Sequence, residues 1–487
     1  MTSDVGGISK EKEEARMKRI MNGMAALLAA LATDAATIEV YQTREGGTRA
    51  TLSPSVVHES GEEAWMTPVV DLDAATPSHP YLGLGGSFAE ASCDLLAGLP
   101  AARRREILET LFTDRGLSLS MGRLHVGSSD YSNSLRTYDD GPEDPHLVRF
   151  SIDADRKAVL PVVKEALALR PDLYLFASPW TPPGWMKTNN GLNGGWMKTK
   201  WLGVFADYYV KFLSAYRDEG VEIRALTIQN EPQCGRPGSP TCRWNPDQEA
   251  EVAGRLLPPR LKAAGLTTKI WLWDHNYDGF KDVLDMLADP DVLKSIDAVA
   301  WHPYCGTPEM LERVRAVHPN LRFQQTEIGP NIDPTVGRTL VWWCDTVFGA
   351  FNRGCSSFNN WCLVLDPAGY PNTSEGLGCA GLVAVDPKTG DWTASEQYRV
   401  FRQIGPFVAR GAMVLKTGFT TAGYYPDAKM LRAVAFRNPD GSDVVVVGVG
   451  VAADGNPLRR RQFQFRKGGR YYVLSLPANT VTTFVIR

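Results

Sequence analysis

Between residues 79 and 387, short apolar runs alternate with longer stretches in which apolar residues recur every three to four positions. The short runs predict buried parallel strands, and the longer stretches predict amphipathic helices. Eight strands are predicted in this way, over residues 81–84, 117–126, 173–177, 223–228, 269–273, 296–300, 322–326 and 356–361. Because a helical stretch separates each strand from the next, the pattern favours an α/β fold, a (β/α)8 TIM barrel. An open doubly wound sheet is the weaker alternative, since residues 83–88 lack the glycine spacing of a dinucleotide site.

The regions on either side of the barrel have a strand-like pattern instead. Residues 37–78 and 388–487 contain short runs of β-forming residues, separated by turns such as Asn438-Pro439-Asp440-Gly441. We predict that residues 388–487 form an accessory β-sandwich domain. The strands of residues 37–78 are expected to join it, which makes that domain discontinuous in sequence.

Residues 1–36 are predicted to be an extension or a targeting segment. Lys18-Arg19 precede an uncharged stretch over residues 20–33 that contains Ala30-Leu31-Ala32, so a start at Met17 would give a secretory signal over residues 17–33. The alternative is an amphipathic helix in a cytoplasmic protein. If the protein is secreted, Cys234 and Cys242 are candidates for a local disulfide.

Composition narrows the classes of function. The net charge is −3, without a long run of one sign, so we expect neither nucleic acid nor an anionic membrane as a partner. There is no apolar span of 18 residues to predict a transmembrane helix. The eight cysteines form no CxxC pair, and a phosphate-binding glycine loop is also missing, so we expect no metal and no cofactor. The 13 tryptophans fit either core packing or surfaces on which sugar rings stack. The oligomeric state is left open.

Polar and aromatic residues follow the predicted strands. In a TIM barrel, the carboxyl ends of the strands build the active site. These residues are Arg123, Asp130, Trp180, Asn230, Glu231, Asp274, His275, His302, Tyr304, Glu327, Trp361 and Asn372.

Two glutamates in this set suggest glycoside hydrolysis. Glu231 follows the fourth strand and Glu327 follows the seventh, so their carboxylates can converge across the barrel mouth. Glycosidases need one carboxylic acid to protonate the leaving oxygen and one carboxylate facing the anomeric carbon. An acid must hold its proton, so we expect burial and neighbouring groups to raise the pKa of Glu231. The alternatives are solvated loop glutamates or a non-catalytic sugar-binding barrel.

Several motifs resemble glycoside hydrolase family 30, the family of glucocerebrosidase-like enzymes. The Asn230-Glu231-Pro232 motif alone is typical of a larger group of retaining (β/α)8 glycosidases, whereas the stretch Ala177-Ser178-Pro179-Trp180 is more specific. The motifs that carry the resemblance lie at residues 85–91, 121–123, 136–138, 176–183, 229–232, 302–304, 326–327 and 371–372.

The resemblance implies a retaining double displacement, with Glu231 as acid/base and Glu327 as nucleophile. His302 is also a candidate for binding, although a buried core histidine is the alternative. The substrate-binding residues predicted on this basis are Arg123, Asp130, Trp180, Asn230, His302, Tyr304, Trp361 and Asn372.

We expect a carbohydrate or glycolipid substrate, and the resemblance favours a β-glucosidase of the glucosylceramidase type. The alternatives within the family are a β-1,6-glucanase and a β-xylosidase or xylanase. They stay open because residues 127–134 and His302-Pro303-Tyr304 depart from the glucocerebrosidase pattern. Exo or endo action is not indicated.

Overall fold

The computed structural model describes residues 36–65, 67–329, 339–373, 378–417, 419–420, 431–450 and 460–487. Its centre is a closed barrel of parallel strands, in which the last strand pairs with the first through Ser357 and Gly83. Among the described residues before the barrel, five strands are present: β1 (Ile38–Arg44), β2 (Arg49–Leu52), β3 (His58–Ser60), β4 (Val69–Asp71) and β5 (Thr76–Pro80). The barrel strands are β6 (Gly83–Ser87), β7 (Met121–His125), β8 (Tyr174–Ser178), β9 (Ala225–Thr227), β10 (Lys269–Asn276), β11 (Ala298–His302), β12 (Arg322–Gln325) and β13 (Cys355–Cys362). The predicted TIM barrel is confirmed.

The helices pack their apolar sides against the barrel strands. Phe205 and Phe212 of the longest helix belong to one buried apolar cluster with Leu226 of β9 and Leu272 of β10. The helices are α1 (Glu90–Gly98), α2 (Ala101–Phe112), α3 (Val159–Leu169), α4 (Leu202–Asp218), α5 (Pro246–Glu251), α6 (Leu257–Ala263), α7 (Phe280–Leu287), α8 (Pro290–Ser295), α9 (Leu311–Val317), α10 (Leu340–Asn352) and α11 (Glu396–Phe401). A π-helical turn over Val252–Leu256 joins α5 to α6.

Two further sheets face each other beside the barrel. Their facing side chains include Val40, Val447, Phe463 and Phe484, which form a second apolar cluster. The strands that follow the barrel are β14 (Val364–Leu365), β15 (Val383–Val385), β16 (Trp392–Ala394), β17 (Met413–Lys416), β18 (Phe419–Thr420), β19 (Leu431–Arg437), β20 (Asp443–Val449), β21 (Arg460–Lys467), β22 (Arg470–Pro477) and β23 (Thr480–Ile486). The strand orders are β2-β1-β23-β20-β19-β17-β5 in one sheet and β18-β4-β21-β22-β3 in the other, while β14, β15 and β16 form a small separate sheet.

The amino-terminal strands complete this sandwich, as predicted. β1 pairs antiparallel with β23, which sets Ile38 opposite Ile486, and β4 pairs parallel with β21. The segments at the two ends of the chain therefore share one apolar core. The boundaries at residues 78 and 387 stay predictions.

Some local expectations differ from the structure. β9 is shorter than the predicted strand, so Glu231 stands on a loop beyond it. Cys234 and Cys242 are separate free thiols, because the loop between them does not bring their sulfurs into a bond. The secretory signal predicted over residues 17–33 lies outside the described residues and stays a prediction. In the part of the chain that is described, no helix combines the length and apolarity needed to cross a bilayer.

Candidate active site

A cavity of about 400 Å³ opens at the carboxyl ends of the barrel strands. Its size lies within the usual range for small-molecule sites, roughly 300–1,000 Å³. The predicted substrate-binding and catalytic residues that line the cavity are Asp130, Trp180, Asn230, Glu231, Tyr304, Glu327 and Trp361. Arg123 and His302, also predicted, are fully buried behind this lining and contact the carboxylates of Glu327 and Glu231.

Glu327 follows β12 and is held from two sides. Arg123, on β7, donates a hydrogen bond from Nη1 to Glu327 Oε2. The Tyr304 hydroxyl donates to the other carboxylate oxygen, Oε1, at 2.8 Å. Both donors fix the orientation of the carboxylate, and the guanidinium makes its bond charge-assisted.

Glu231 stands in an unusual backbone conformation. Its φ is +47°, in the left-handed region that residues with a Cβ adopt at a cost of about 1–3 kcal/mol. The Glu231 N–H donates to the Asp274 carbonyl at 3.0 Å. Asp274 lies in a bulge of β10, where Trp273 and Asp274 also have positive φ. The N–H of Trp273 donates to the buried carboxylate of Glu249, on α5, at 2.6 Å. The strand β10 and, behind it, the helix α5 therefore support the turn that presents Glu231.

The two glutamates face one imidazole nitrogen. Glu231 Oε1 lies 3.2 Å from His302 Nδ1, and Glu327 Oε1 lies 3.9 Å from the same atom. The separation of these two oxygens is therefore at most the sum of 3.2 and 3.9 Å, which is 7.1 Å. The carboxylates that the sequence placed on opposite sides of the barrel do converge at its mouth.

Asp274 is the centre of the buried polar network, a role that the sequence did not show. Its side chain is fully buried and links the partners of both glutamates. Burial raises the pKa of Asp274, but Arg123 and the hydrogen-bonding groups around it hold that pKa well below its usual range. Five side chains make hydrogen bonds to its two oxygens: Arg123 Nη2 at 2.8 Å, Ser178 Oγ at 2.8 Å, Thr227 Oγ1 at 2.7 Å, Thr326 Oγ1 at 2.6 Å and His302 Nε2 at 3.0 Å.

The expected direction of the Glu231 pKa is wrong. Burial raises this pKa, as predicted, but the hydrogen bond and positive charge of His302 outweigh it and lower the pKa of Glu231 to about 2. For His302 the directions are reversed. Burial lowers its pKa, but the charge of Glu327 and the hydrogen bonds to Asp274 and Glu231 outweigh burial and raise the pKa of His302 to about 9. At neutral pH the pair therefore holds one proton, which sits on His302.

Aromatic rings form one wall of the cavity. The ring centroids of Trp180 and Trp361 lie 5.0 Å apart. His125 stacks on Trp361 at 5.2 Å with an interplanar angle of 18°. The sequence suggested both tryptophans but missed His125, although it lies two residues after Arg123 and therefore on the same face of β7.

Asp130 and Asn230 bring polar atoms to the same cavity. Among the described residues, Asp130 Oδ1 is buried without a hydrogen-bond donor. Burial, together with the charges of Glu327 and Glu231, raises the pKa of Asp130 to about 7. Asn230 Oδ1 accepts a hydrogen bond from Arg123 Nη2 at 2.8 Å. These groups are suited to hold hydroxyl groups of a ligand.

Asn372 is placed differently from the other predicted residues. It does not belong to the described lining of the cavity, and its Nδ2 donates to the Gly369 carbonyl at 3.2 Å. Its neighbour Thr373 instead contacts the site, donating from N to the Asp130 carbonyl at 2.6 Å. The predicted contact of Asn372 with substrate thus stays a prediction.

One set of potential metal ligands lies in the cavity. Side-chain ligand atoms of Glu231, His275 and His302 all lie within 4.8 Å of one another. They come from three different strands or strand-end loops, so no short sequence spacing indicated them. The expectation that the protein uses no metal stays a prediction.

Comparison with known proteins gives consistent matches. The model of the glycosyl hydrolase family 30 TIM-barrel domain matches residues 81–392. An endo-1,6-β-D-glucanase of Neurospora crassa is 32% identical over 75% of this chain and 78% of its own. A putative glucosylceramidase 2 of Caenorhabditis elegans is 27% identical over 92% of this chain and 88% of its own. The crystal structure of SrfJ from Salmonella typhimurium superposes with a TM-score of 0.82 at 25% identity, covering 92% of this chain and 99% of that one.

Proposed function

Because the chain belongs to glycosyl hydrolase family 30, we propose that it is a retaining glycosidase that cleaves β-1,6-linked glucans. The observation that carries the chemistry is the convergence of Glu231 and Glu327 on His302 Nδ1, at 3.2 and 3.9 Å. Retaining glycosidases place their two carboxyl groups about 5–5.5 Å apart, and inverting ones about 6.5–9.5 Å apart. The upper bound of 7.1 Å includes the retaining spacing and only the lower end of the inverting range, so the retaining mechanism rests mainly on membership of the family.

The choice of substrate is supported by the relatives. The relative named as an endo-1,6-β-D-glucanase is 32% identical, whereas the one named as a putative glucosylceramidase is 27% identical. The sequence alone favoured glucosylceramide and kept β-1,6-glucan as an alternative. The comparison favours that alternative. Glucosylceramide is the second candidate, since the match to the putative glucosylceramidase covers 92% of this chain.

In the first step, a Glu327 oxygen attacks the anomeric carbon while the bond from that carbon to the leaving oxygen breaks. Glu231 transfers its proton to the leaving oxygen, and the products are a free alcohol and a glycosyl ester of Glu327. Arg123 and Tyr304 hold Glu327 in position for this attack. Trp180, Trp361 and Asp130 surround the sugar that reacts.

The proton for this step comes from the Glu231–His302 pair. Before substrate binds, the proton sits on His302, beside the Glu231 carboxylate. Transfer across the 3.2 Å contact makes Glu231 a neutral acid and His302 a neutral imidazole. Asp274, bonded to His302 Nε2, keeps the ring oriented during the transfer.

In the second step, water replaces the Glu327 ester. Esterification removes the negative charge of Glu327, one of the charges that hold the proton on His302. Glu231 is now ionised and takes a proton from the attacking water, whose oxygen bonds to the anomeric carbon as the ester bond breaks. The sugar leaves with its original configuration, Glu327 becomes a free carboxylate again, and the proton that Glu231 took from water passes back to His302 across their 3.2 Å contact.

Hydrolysis of defined polymers tests the proposal. We expect kcat/KM for a β-1,6-linked glucan to exceed that for glucosylceramide, a β-1,3-glucan and a β-1,4-xylan by at least about tenfold, the size of one lost sugar contact. A preference for glucosylceramide would establish the second candidate instead. Proton NMR of the first-formed sugar should show the β anomer. An α anomer would overturn the retaining mechanism.

A further inference from the structure

We propose that Glu231, His275 and His302 form a binding site for a divalent transition-metal ion such as Zn²⁺, and that the bound ion stops hydrolysis. Glu231 Oε1 lies 3.2 Å from His302 Nδ1 and 3.8 Å from His275 Nδ1. Zinc binds imidazole nitrogen and carboxylate oxygen at about 2.0–2.2 Å, which in a tetrahedral site sets ligand atoms about 3.3–3.5 Å apart. All three ligand atoms lie within 4.8 Å of one another, so side-chain shifts of at most about 1.5 Å would bring them to that spacing.

The surroundings of His302 already resemble the outer shell of a zinc site. Its Nε2 lies 3.0 Å from Asp274 Oδ1, so the proton on that nitrogen is donated to a buried carboxylate. Histidines that bind metals typically donate the other ring N–H in this way, which fixes the tautomer and makes the free nitrogen more basic. Metal binding would displace the proton from His302 Nδ1, and the lone pair left on that nitrogen would face Glu231. Asp274 is itself fixed by Arg123 and Thr326.

The unpaired Nδ1 of His275, among the described residues, also points to a ligand. Its Nδ1 is buried and has no hydrogen-bond partner among the described residues, although it lies 3.8 Å from Glu231 Oε1. A buried polar nitrogen without a partner is unfavourable. The ring is confined beside Trp273, with centroids 5.5 Å apart. The proposed mechanism does not use His275, and a metal ion would satisfy its free nitrogen.

Metal binding and hydrolysis exclude each other at Glu231. A bound ion occupies the oxygen that faces His302, so this carboxylate can neither receive the proton nor pass it to the leaving oxygen. Binding of the ion rests on the geometry alone. The loss of activity rests also on the proposed acid/base role of Glu231.

Calorimetric titration of the full chain with ZnCl₂ tests the binding. We expect one ion per chain with micromolar affinity, and a Kd at least about tenfold higher in His275→Gln and in His275→Asn, as for loss of a metal ligand or its support. Circular dichroism confirms that each variant is folded. Cys305→Ser is the matched control, because Cys305 is an exposed thiol lining the same cavity. An unchanged Kd in folded His275 variants, or a loss of binding in Cys305→Ser, would overturn the site.

Spectroscopy and kinetics complete the test. Co²⁺ in place of Zn²⁺ should give visible bands of a nitrogen and oxygen site, and a thiolate-to-cobalt charge-transfer band would instead assign the ion to cysteine. Zn²⁺ should inhibit hydrolysis with a constant matching its Kd, reversed by a chelator. If Zn²⁺ binds through His275 but does not inhibit hydrolysis, the proposal that the bound ion stops hydrolysis is wrong. If the chain hydrolyses no β-glucoside, the proposed function fails while the titration still decides the metal site.

Discussion

The sandwich core and the barrel mouth are both buried, but they are built in opposite ways. In the sandwich, Val445 and Val447 of β20 face the second sheet, while Val444 and Val446 of the same strand face the barrel cluster. The mouth instead buries Arg123, Asp274 and His302 completely. The sandwich strand buries apolar side chains on both of its faces, whereas the barrel mouth buries charged and polar side chains.

Backbone conformation differs in a similar way, since the one non-glycine residue with positive φ among the described residues of the sandwich is Asn479, in the turn between β22 and β23. Glu231, Trp273 and Asp274 all have positive φ and meet at the mouth, where the catalytic pair is proposed. Strained positions of this kind persist only when surrounding contacts determine them fully. Apolar burial therefore stabilises the sandwich core, whereas at the barrel mouth a hydrogen-bonded network of charged groups positions the reactive side chains.

The largest effect is expected from Glu327→Gln. The variant keeps the shape of the side chain but removes the nucleophile, so hydrolysis should fall by on the order of 10⁴-fold or more. Initial rates on a β-1,6-glucan measure this loss, and circular dichroism should show an unchanged fold. Glu222→Gln, at an exposed glutamate, is the matched control. Substantial activity in Glu327→Gln would refute the assignment of the nucleophile.

Asp274→Asn should damage both activity and stability. It removes the anion that pairs with Arg123 and His302, leaving buried charge uncompensated at about 3–5 kcal/mol. We expect kcat to fall by roughly 10²–10³-fold, because each partner positions one glutamate. Rates and urea unfolding measure the two effects. If only stability changes, Asp274 has no positioning role.

Phe463→Ala should separate the two regions. Phe463 is fully buried in the sandwich core, with its ring centroid 6.0 Å from that of Phe484. Removing the ring should lower the free energy of unfolding by about 3–5 kcal/mol. The kcat of the folded fraction should stay within about twofold, and Phe463→Leu should have a smaller effect on stability. A large change in kcat would show that the sandwich and the mouth are coupled.

His302→Asn should change the pH profile. The pair loses its proton as pH rises through the His302 pKa of about 9, so activity of the wild type should decline through that value. Without the imidazole, Glu231 alone must hold the acid proton. The basic limb should move to lower pH, with roughly a 10–100-fold loss of kcat at its former optimum. An unmoved limb would exclude His302 as the store of the proton.

Glu249→Gln should have the smallest effect, on stability alone. Burial raises the pKa of Glu249 from 4.5 to about 8, so the folded state binds this proton more tightly than the unfolded state. Stability of the wild type should therefore fall as pH rises from about 4.5 to about 8. A change at the neighbouring position, Gln248→Glu, would not test the same group, because the carboxyl that accepts the Trp273 N–H belongs to Glu249.

The measurement compares urea unfolding of wild type and Glu249→Gln at pH 5 and pH 9. The glutamine keeps an acceptor for Trp273 but cannot ionise, so the variant should gain stability relative to wild type at the higher pH. Equal differences at the two pH values would contradict the raised pKa. Such a result would also mean that this buried carboxyl at the mouth behaves like the neutral groups of the sandwich.

The barrel and the sandwich could be predicted from the residue pattern, and so could most residues of the candidate site. Apolar periodicity is a local property, so it can be read along the chain, and the strand ends then identified Glu231, Glu327 and Arg123. The strand pattern of residues 37–78 also predicted that they join the sandwich, whereas the pairing of β1 with β23 is known from the structure.

The interactions between these groups became visible in the tertiary structure, because they join side chains from different strands. The role of Asp274, the proton shared by Glu231 and His302, and the free nitrogen of His275 depend on atoms a few ångströms apart on different strands. The pKa of Glu231 was expected to rise because burial can be inferred from a strand end, whereas the imidazole 3.2 Å away cannot. Electrostatic interactions depend on distance in space, which the order of residues does not contain.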